Sequence, residues 1–160
     1  MARVLIVGCG CRGQALARAL VADGHAVRGT TRDAARRVDI AAAGAEAFVG
    51  DPDRIGTLMD ALAGVTILCW LMGSASGPEA AALHDGRLRM LCEKLVDTPV
   101  RGLVYEAAGS VGEAALARGL EVAGDAHERW MIPLEVLTAP PDDHAAWLAQ
   151  ARSAVTGLLA

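Results

Sequence analysis

The sequence holds a single lysine, Lys94, and a single tyrosine, Tyr105. Chemistry that relies on those two side chains therefore has little to draw on. The four cysteines, Cys9, Cys11, Cys69 and Cys92, form no C-x-x-C pair, so neither a disulfide framework nor a zinc site is expected. No metal is expected either, because His84, His127 and His144 lie singly on helical segments without ligand spacing. Nothing resembles a signal peptide, since only Val4-Leu5-Ile6-Val7 is strongly apolar before glycine intervenes. The longest uncharged stretch, 61–78, is 18 residues long but is broken by Gly64, Thr66, Gly73, Ser74, Ser76 and Gly77. A spanning helix wants ~20 mainly apolar residues, so the expectation is a soluble, cytoplasmic protein without membrane contact. A net charge of −4 gives no reason to expect a nucleic-acid partner.

What is present is a chain of 160 residues, 53% hydrophobic and 21% charged, which suits one globular domain over 1–160. That length leaves no room for a separate substrate domain. Short apolar runs alternate with helical patterns along the whole chain. Strands are expected at Arg3–Val7, Ala26–Thr30, Ala45–Val49, Val65–Leu71, Gly102–Tyr105 and Leu134–Leu137. Most are continuous apolar runs, as in parallel strands covered on both faces. Ile55, Leu58, Met59 and Leu62 follow helical spacing, as do Leu83, Leu88, Leu91, Cys92 and Leu95. A third stripe joins Trp147, Leu148, Ala151, Val155, Leu158 and Leu159. Asp53, Pro78-Glu79 and Pro141-Asp142-Asp143 are helix-start signals. Pro133 suits a last strand at a sheet edge. The pattern implies an α/β fold, a doubly wound parallel sheet of about six strands in three layers, of Rossmann type.

Val4-Leu5-Ile6-Val7-Gly8-Cys9-Gly10-Cys11-Arg12-Gly13 is a strand running into G-x-G-x-x-G and then a helix. In this motif Gly8 permits the tight turn, Gly10 lets the backbone approach a pyrophosphate, and Gly13 lets the helix pack on the strand. Dinucleotide binding is the leading reading, with Cys9, Cys11 and Arg12 as the intervening loop residues. S-adenosylmethionine enzymes are a smaller rival, and usually carry an acidic residue at the end of strand two. About 20 residues after the loop an NAD site places Asp or Glu; here the sequence reads Gly29-Thr30-Thr31-Arg32. Hydroxyls and a guanidinium there suit a 2′-phosphate, so NADP is favoured over NAD. Arg36 and Arg37 add to the positive field. Strand three ends in Gly50-Asp51-Pro52, where Asp51 either accepts from an adenine amino group or caps the next helix. The loop Trp70-Leu71-Met72-Gly73-Ser74-Ala75-Ser76-Gly77 should pass beside the nicotinamide, with Trp70 or Met72 as an apolar wall and Ser74 and Ser76 as donors. Ala75 holds the middle of Gly73–Gly77, so no G-x-S-x-G nucleophile elbow exists.

These residues resemble the atypical NADP-binding branch of the short-chain dehydrogenase/reductase superfamily, which includes the NmrA-like and epimerase-like proteins. The resemblance rests on Gly8-x-Gly10-x-x-Gly13, Thr30-Thr31-Arg32 and Gly50-Asp51. The stretch from Leu134 to Pro140 is similar to the strand that ends the family's nucleotide domain, with Thr138 in place of the usual arginine. Most of the chain is covered, but these motifs specify the cofactor more than the reaction. The superfamily's reductases use Tyr-x-x-x-Lys, which this chain lacks because Lys94 precedes Tyr105. The serine that often follows strand five is missing as well, since that stretch reads Tyr105-Glu106-Ala107-Ala108-Gly109. Tyr105 is expected to be a strand residue. Glu106, at the strand end, is a weak candidate for acid/base work, with capping of a loop as the stronger reading. Cys9 and Cys11 near a helix N-terminus admit a redox-sensing role, though small fillers of a glycine loop are the commoner case.

Two functions remain open on the sequence. One is a minimal NADP(H)-dependent oxidoreductase acting on an unidentified small molecule, with its pocket completed by loops or a homodimer partner. The other is a non-catalytic NADP(H)-binding or redox-sensing module. A coenzyme-A-binding domain is a distant third.

Overall fold

The run Val4-Leu5-Ile6-Val7 has every side chain fully buried, which demands cover on both faces of the strand. It forms β1 (Arg3–Val7), next to the middle of a six-stranded sheet, in a computed structural model that describes Met1–Ala160. The other strands are β2 (Ala26–Thr31), β3 (Glu46–Val49), β4 (Ile67–Trp70), β5 (Gly102–Glu106) and β6 (Leu134–Leu137). All pairings are parallel, in the order β3-β2-β1-β4-β5-β6. β6 lies at an edge beside Pro133, as expected from the proline. The chain reverses its direction of winding between β1 and β4. In open α/β sheets the ligand crevice lies outside the carboxyl ends of the strands at that point.

Alternation along the strands sorts the core into two layers. Leu5, Val7, Leu68, Trp70, Leu103 and Tyr105 join a cluster of 22 buried residues on one face. Val4, Ile6, Ile67, Cys69, Val104 and Leu137 join a cluster of 19 on the other. The second face is covered by α1 (Cys11–Ala22), α2 (Arg37–Ala42) and α5 (His144–Leu159), through Leu16, Leu20, Ile40, Trp147 and Val155. The first is covered by α3 (Gly86–Leu95) and α4 (Glu113–Trp130), through Leu88, Leu91, Leu95, Val122 and Ala126. Each fully buried aliphatic side chain contributes about 1.5–3 kcal/mol relative to exposure, so the three-layer packing is the main source of stability. Asp143 caps α5, its carboxylate accepting from Ala146 N–H at 3.1 Å. No helix is long and apolar enough to cross a membrane, and no group of three or more His, Cys, Asp or Glu side chains is arranged to hold a metal ion.

Two expected helices differ from their sequence patterns. The segment containing Ile55, Leu58, Met59 and Leu62 folds as two short 3-10 turns, Ile55–Leu58 and Asp60–Leu62. Thr57 Oγ1 donates to Arg54 O at 2.7 Å and accepts from Asp51 N–H at 2.7 Å. Such side-chain bonds replace the helical ladder, while the apolar residues still reach the core. Leu83 belongs to a separate 3-10 turn, Ala80–His84, because Asp85 leaves helical geometry before α3 begins.

Candidate functional site

The glycine loop owes its shape to close contacts with two neighbouring segments. Gly8 has φ +89°, and a Cβ there would overlap the Leu71 carbonyl oxygen and Met72 Cε. Gly13 sits where a Cβ would stand 3.0 Å from Gly8 O and 3.2 Å from Ile6 Cγ2, so α1 is seated directly on β1. Gly10 differs: its φ is −79° and a Cβ would meet nothing within 4 Å. Nothing in the protein requires Gly10 to be bare, whereas a phosphate lying against the loop would. The first backbone bond of α1 runs from Gln14 N–H to Gly10 O at 2.8 Å, and no side chain caps the turn. The N–H groups of Cys11, Arg12 and Gly13 therefore have no protein acceptor, and no acidic residue occupies the first turn. A helix start of this kind favours an anion, so the residues present fit a dinucleotide pyrophosphate.

A cleft of about 530 Å³ extends from this loop toward β2 and β3. Of the residues singled out in the sequence, Gly8, Cys9, Gly10, Thr30, Thr31, Arg32, Pro52 and Met72 line it. Arg36, Gly50, Ser74 and Ser76, named in the same reading, line it too, together with Ala75 and Leu83. Cys11, Arg12, Gly13 and Leu71 border a smaller hollow of about 110 Å³ on the other side of the loop, closed by Trp147. A third hollow, of about 410 Å³, is bounded by Ser74, Ala108, Gly109, Ser110, Pro140, Pro141 and Asp142. Ser74 thus stands at the border of the long cleft and this hollow.

Three of the proposed site residues point elsewhere. Asp51 Oδ1 accepts from Asp53 N–H at 2.9 Å within a local turn that precedes the 3-10 segment, and its neighbours rather than Asp51 face the cleft. Gly73 is buried; its N–H and C=O are taken by Glu106 and by Val111 N–H. Glu106 corrects the acid/base expectation. It is fully buried, Oε1 accepts from Gly73 N–H at 2.8 Å, and Oε2 accepts from the Trp147 indole N–H at 2.8 Å. Both oxygens are used inside the protein, so this carboxyl clamps a loop and borders none of the three hollows. Burial pushes its pKa above the usual carboxylate value, against the pull of the two N–H donors and the Arg12 guanidinium 3.8 Å away.

Tyr105 lies on β5 with no exposure, directly under α4, where a Cβ on Gly119 would overlap its hydroxyl. Its partner is His84, also fully buried, with Nδ1 2.7 Å from the phenol oxygen. His84 Nε2 lies 2.8 Å from Met72 O. A carbonyl only accepts, so Nε2 carries the proton and Nδ1 accepts from Tyr105. Burial lowers the pKa of His84 and raises that of Tyr105. Tyr105 is thus sealed away from any substrate, and His84 holds the loop after β4 from below. Cys9 is buried and its thiol is pushed up to about 12 by desolvation, which disfavours an activated thiolate at that cysteine, while Cys11 is exposed at the helix start.

Sequence reasoning missed His84 and the role of Trp147. His84 read as one more lone histidine, and Trp147 as part of an apolar stripe. The only signal available was complementarity: a strand-end carboxylate needs donors, and a buried indole N–H needs an acceptor.

The sequence profile of the NAD(P)H-binding family matches residues 8–131. The chain belongs to that family. This NAD(P)H-binding domain also shares its fold with solved enzymes. Triphenylmethane reductase from Citrobacter sp., complexed with NADP(H), superposes with a TM-score of 0.66 at 20% identity, over 84% of this chain and 48% of that one. Vestitone reductase from alfalfa gives 0.65 at 15% identity, over 85% and 56%. UDP-glucuronic acid 4-epimerase from Bacillus cereus, in complex with NAD, gives 0.64 at 13% identity, over 84% and 55%. The NAD(P)H-binding domain spans about half the length of these structures. No curated protein matches the sequence.

Proposed function

We propose that this domain binds NADP(H) in preference to NAD(H) and serves an oxidoreductase that moves a hydride between NADP(H) and a small substrate. One observation carries the cofactor choice. At the end of β2 the cleft is lined by Thr31, Arg32 and Arg36, and none of its 14 lining residues is acidic. A carboxylate there would select the free ribose hydroxyl of NAD, whereas guanidinium groups pair with a 2′-phosphate through charge-assisted bonds. Arg32 and Arg36 are exposed and neither takes part in an ion pair within the protein, so both have donors to offer.

The bound cofactor supplies the hydride chemistry, and the chain's residues bind and orient it. Gly8, Gly10 and the free N–H groups of Cys11, Arg12 and Gly13 would hold the pyrophosphate. Met72 and Ser74 would orient the other half of the cofactor, and Ser74 also borders the hollow bounded by Ser110 and Asp142, which would offer room for a substrate. The loop they belong to is fixed by Glu106, His84 and Val111, which favours a single approach geometry. Tyr105 takes no part in proton transfer, because it is buried beneath α4.

The test is Arg32→Ala. NADPH affinity should fall roughly tenfold or more while NADH affinity stays near its original value. An unchanged ratio of the two would remove Arg32 from the site and with it the case for NADP. Turnover of NADPH with a panel of carbonyl and enone compounds then tests the oxidoreductase reading.

A further inference from the structure

Arg12 is the last variable residue of the glycine motif, yet its side chain is not spent on the loop. It reaches across to the segment after β4, where Nη2 donates to Ser74 Oγ at 3.1 Å. The guanidinium lies over the Trp147 ring, 5.7 Å from its centroid. Its Nε is buried without any acceptor, although such donors are nearly always paired. The side chain is 29% exposed, so the cation is partly screened from water yet open to the crevice. Its only nearby counter-charge is Glu106, at 3.8 Å. That carboxyl makes no hydrogen bond to Arg12, since both of its oxygens are engaged by Gly73 and Trp147. The other acidic group near this end, Asp142 on the rim of the 410 Å³ hollow, is exposed and screened by solvent.

If the adenosine half lies at β2, as the proposed function holds, the other half crosses the sheet's reversal point toward Ser74. The two oxidation states of a nicotinamide dinucleotide differ there by one positive charge, carried by the oxidised ring. We infer that Arg12 makes this site discriminate oxidation states, holding NADPH more tightly than NADP⁺. The inference rests on the NADP(H) reading of the cleft. A fixed, half-desolvated cation repels the oxidised ring and leaves the neutral reduced ring unaffected, an effect on the order of tenfold in affinity. By the binding cycle a tenfold preference raises the two-electron potential of the bound couple by about 30 mV. Bound NADP⁺ then accepts hydride more readily than free NADP⁺ does.

The experiment is equilibrium titration of the wild-type protein, Arg12→Gln and Arg12→Lys with NADPH and with NADP⁺, read by calorimetry and tryptophan fluorescence. The wild type should favour NADPH about tenfold. Arg12→Gln should bring the ratio near one, and Arg12→Lys, which keeps the charge, should retain most of it. Equal affinities in the wild type overturn the inference whatever the variants do, even if Arg12→Gln folds poorly. An equal loss for both forms in Arg12→Gln also overturns it, because that is how a phosphate contact behaves. Failure of both dinucleotides to bind the wild type overturns the NADP(H) reading along with it, whereas tight, equal binding of both overturns only the role given to Arg12.

Discussion

The indole N–H of Trp147 donates to Glu106 Oε2 at 2.8 Å, tying α5 to the end of β5 across 41 residues of sequence. Through the same carboxyl the bond reaches Gly73 N–H, so one buried group holds the helix, the strand and the loop beside the crevice.

Trp147→Phe keeps an aromatic ring at this place and removes the donor. It should cost about 1–3 kcal/mol in urea unfolding, because a buried carboxylate oxygen loses its partner. A cost near zero would mean that water or Arg12 replaces the indole without loss.

Gly119→Ala should destabilise by about 1–3 kcal/mol despite alanine's better helix propensity, since the added methyl overlaps the Tyr105 hydroxyl. Tyr105→Phe should cost about 1 kcal/mol through the lost His84 bond while leaving NADPH affinity unchanged. Loss of cofactor binding in Tyr105→Phe would contradict its sealed position.

The acid response separates two buried groups of opposite sign. His84 has its pKa lowered below 6.5 by burial, so the fold prefers it neutral. Its contribution is complete above pH 6.5 and is lost as the pH falls through its folded value. Glu106 is raised above its ordinary value of 4.5, so its contribution is present below pH 4.5 and is lost as the pH rises through its folded value. The two trends oppose each other in wild-type protein, so the informative quantity is a difference. The stability gap between wild type and His84→Asn should be constant above pH 7 and narrow as the pH drops below 6.5. A gap that stays level down to pH 5 would place His84 in a solvated setting.

The parallel sheet and the glycine loop were legible because their signals are local. β1 and β6 coincide with their apolar runs, and β4 is shorter than its run although Leu71 N–H still donates to Val7 O at 2.9 Å. The 55–62 segment departs from its helical spacing, since apolar spacing cannot register that Thr57 Oγ1 bonds the backbone of Asp51 and Arg54. The network behind the site was illegible for a different reason. Arg12, Ser74, Glu106 and Trp147 meet only once the sheet has formed, and nothing near any one of them in sequence announces the others.

The most direct measurement compares NADPH binding to Gly10→Ala and to the wild type by isothermal titration, with circular dichroism to confirm folding. Gly10 has open space where its Cβ would be and an ordinary φ, so the variant should fold normally. Gly8→Ala, by contrast, is strained at φ +89° and should lose stability before binding is even tested. If the dinucleotide lies against the loop, Gly10→Ala retains the wild-type melting temperature and loses NADPH affinity on the order of tenfold or more. A folded Gly10→Ala protein that binds NADPH as tightly as the wild type would contradict the assignment of this cleft.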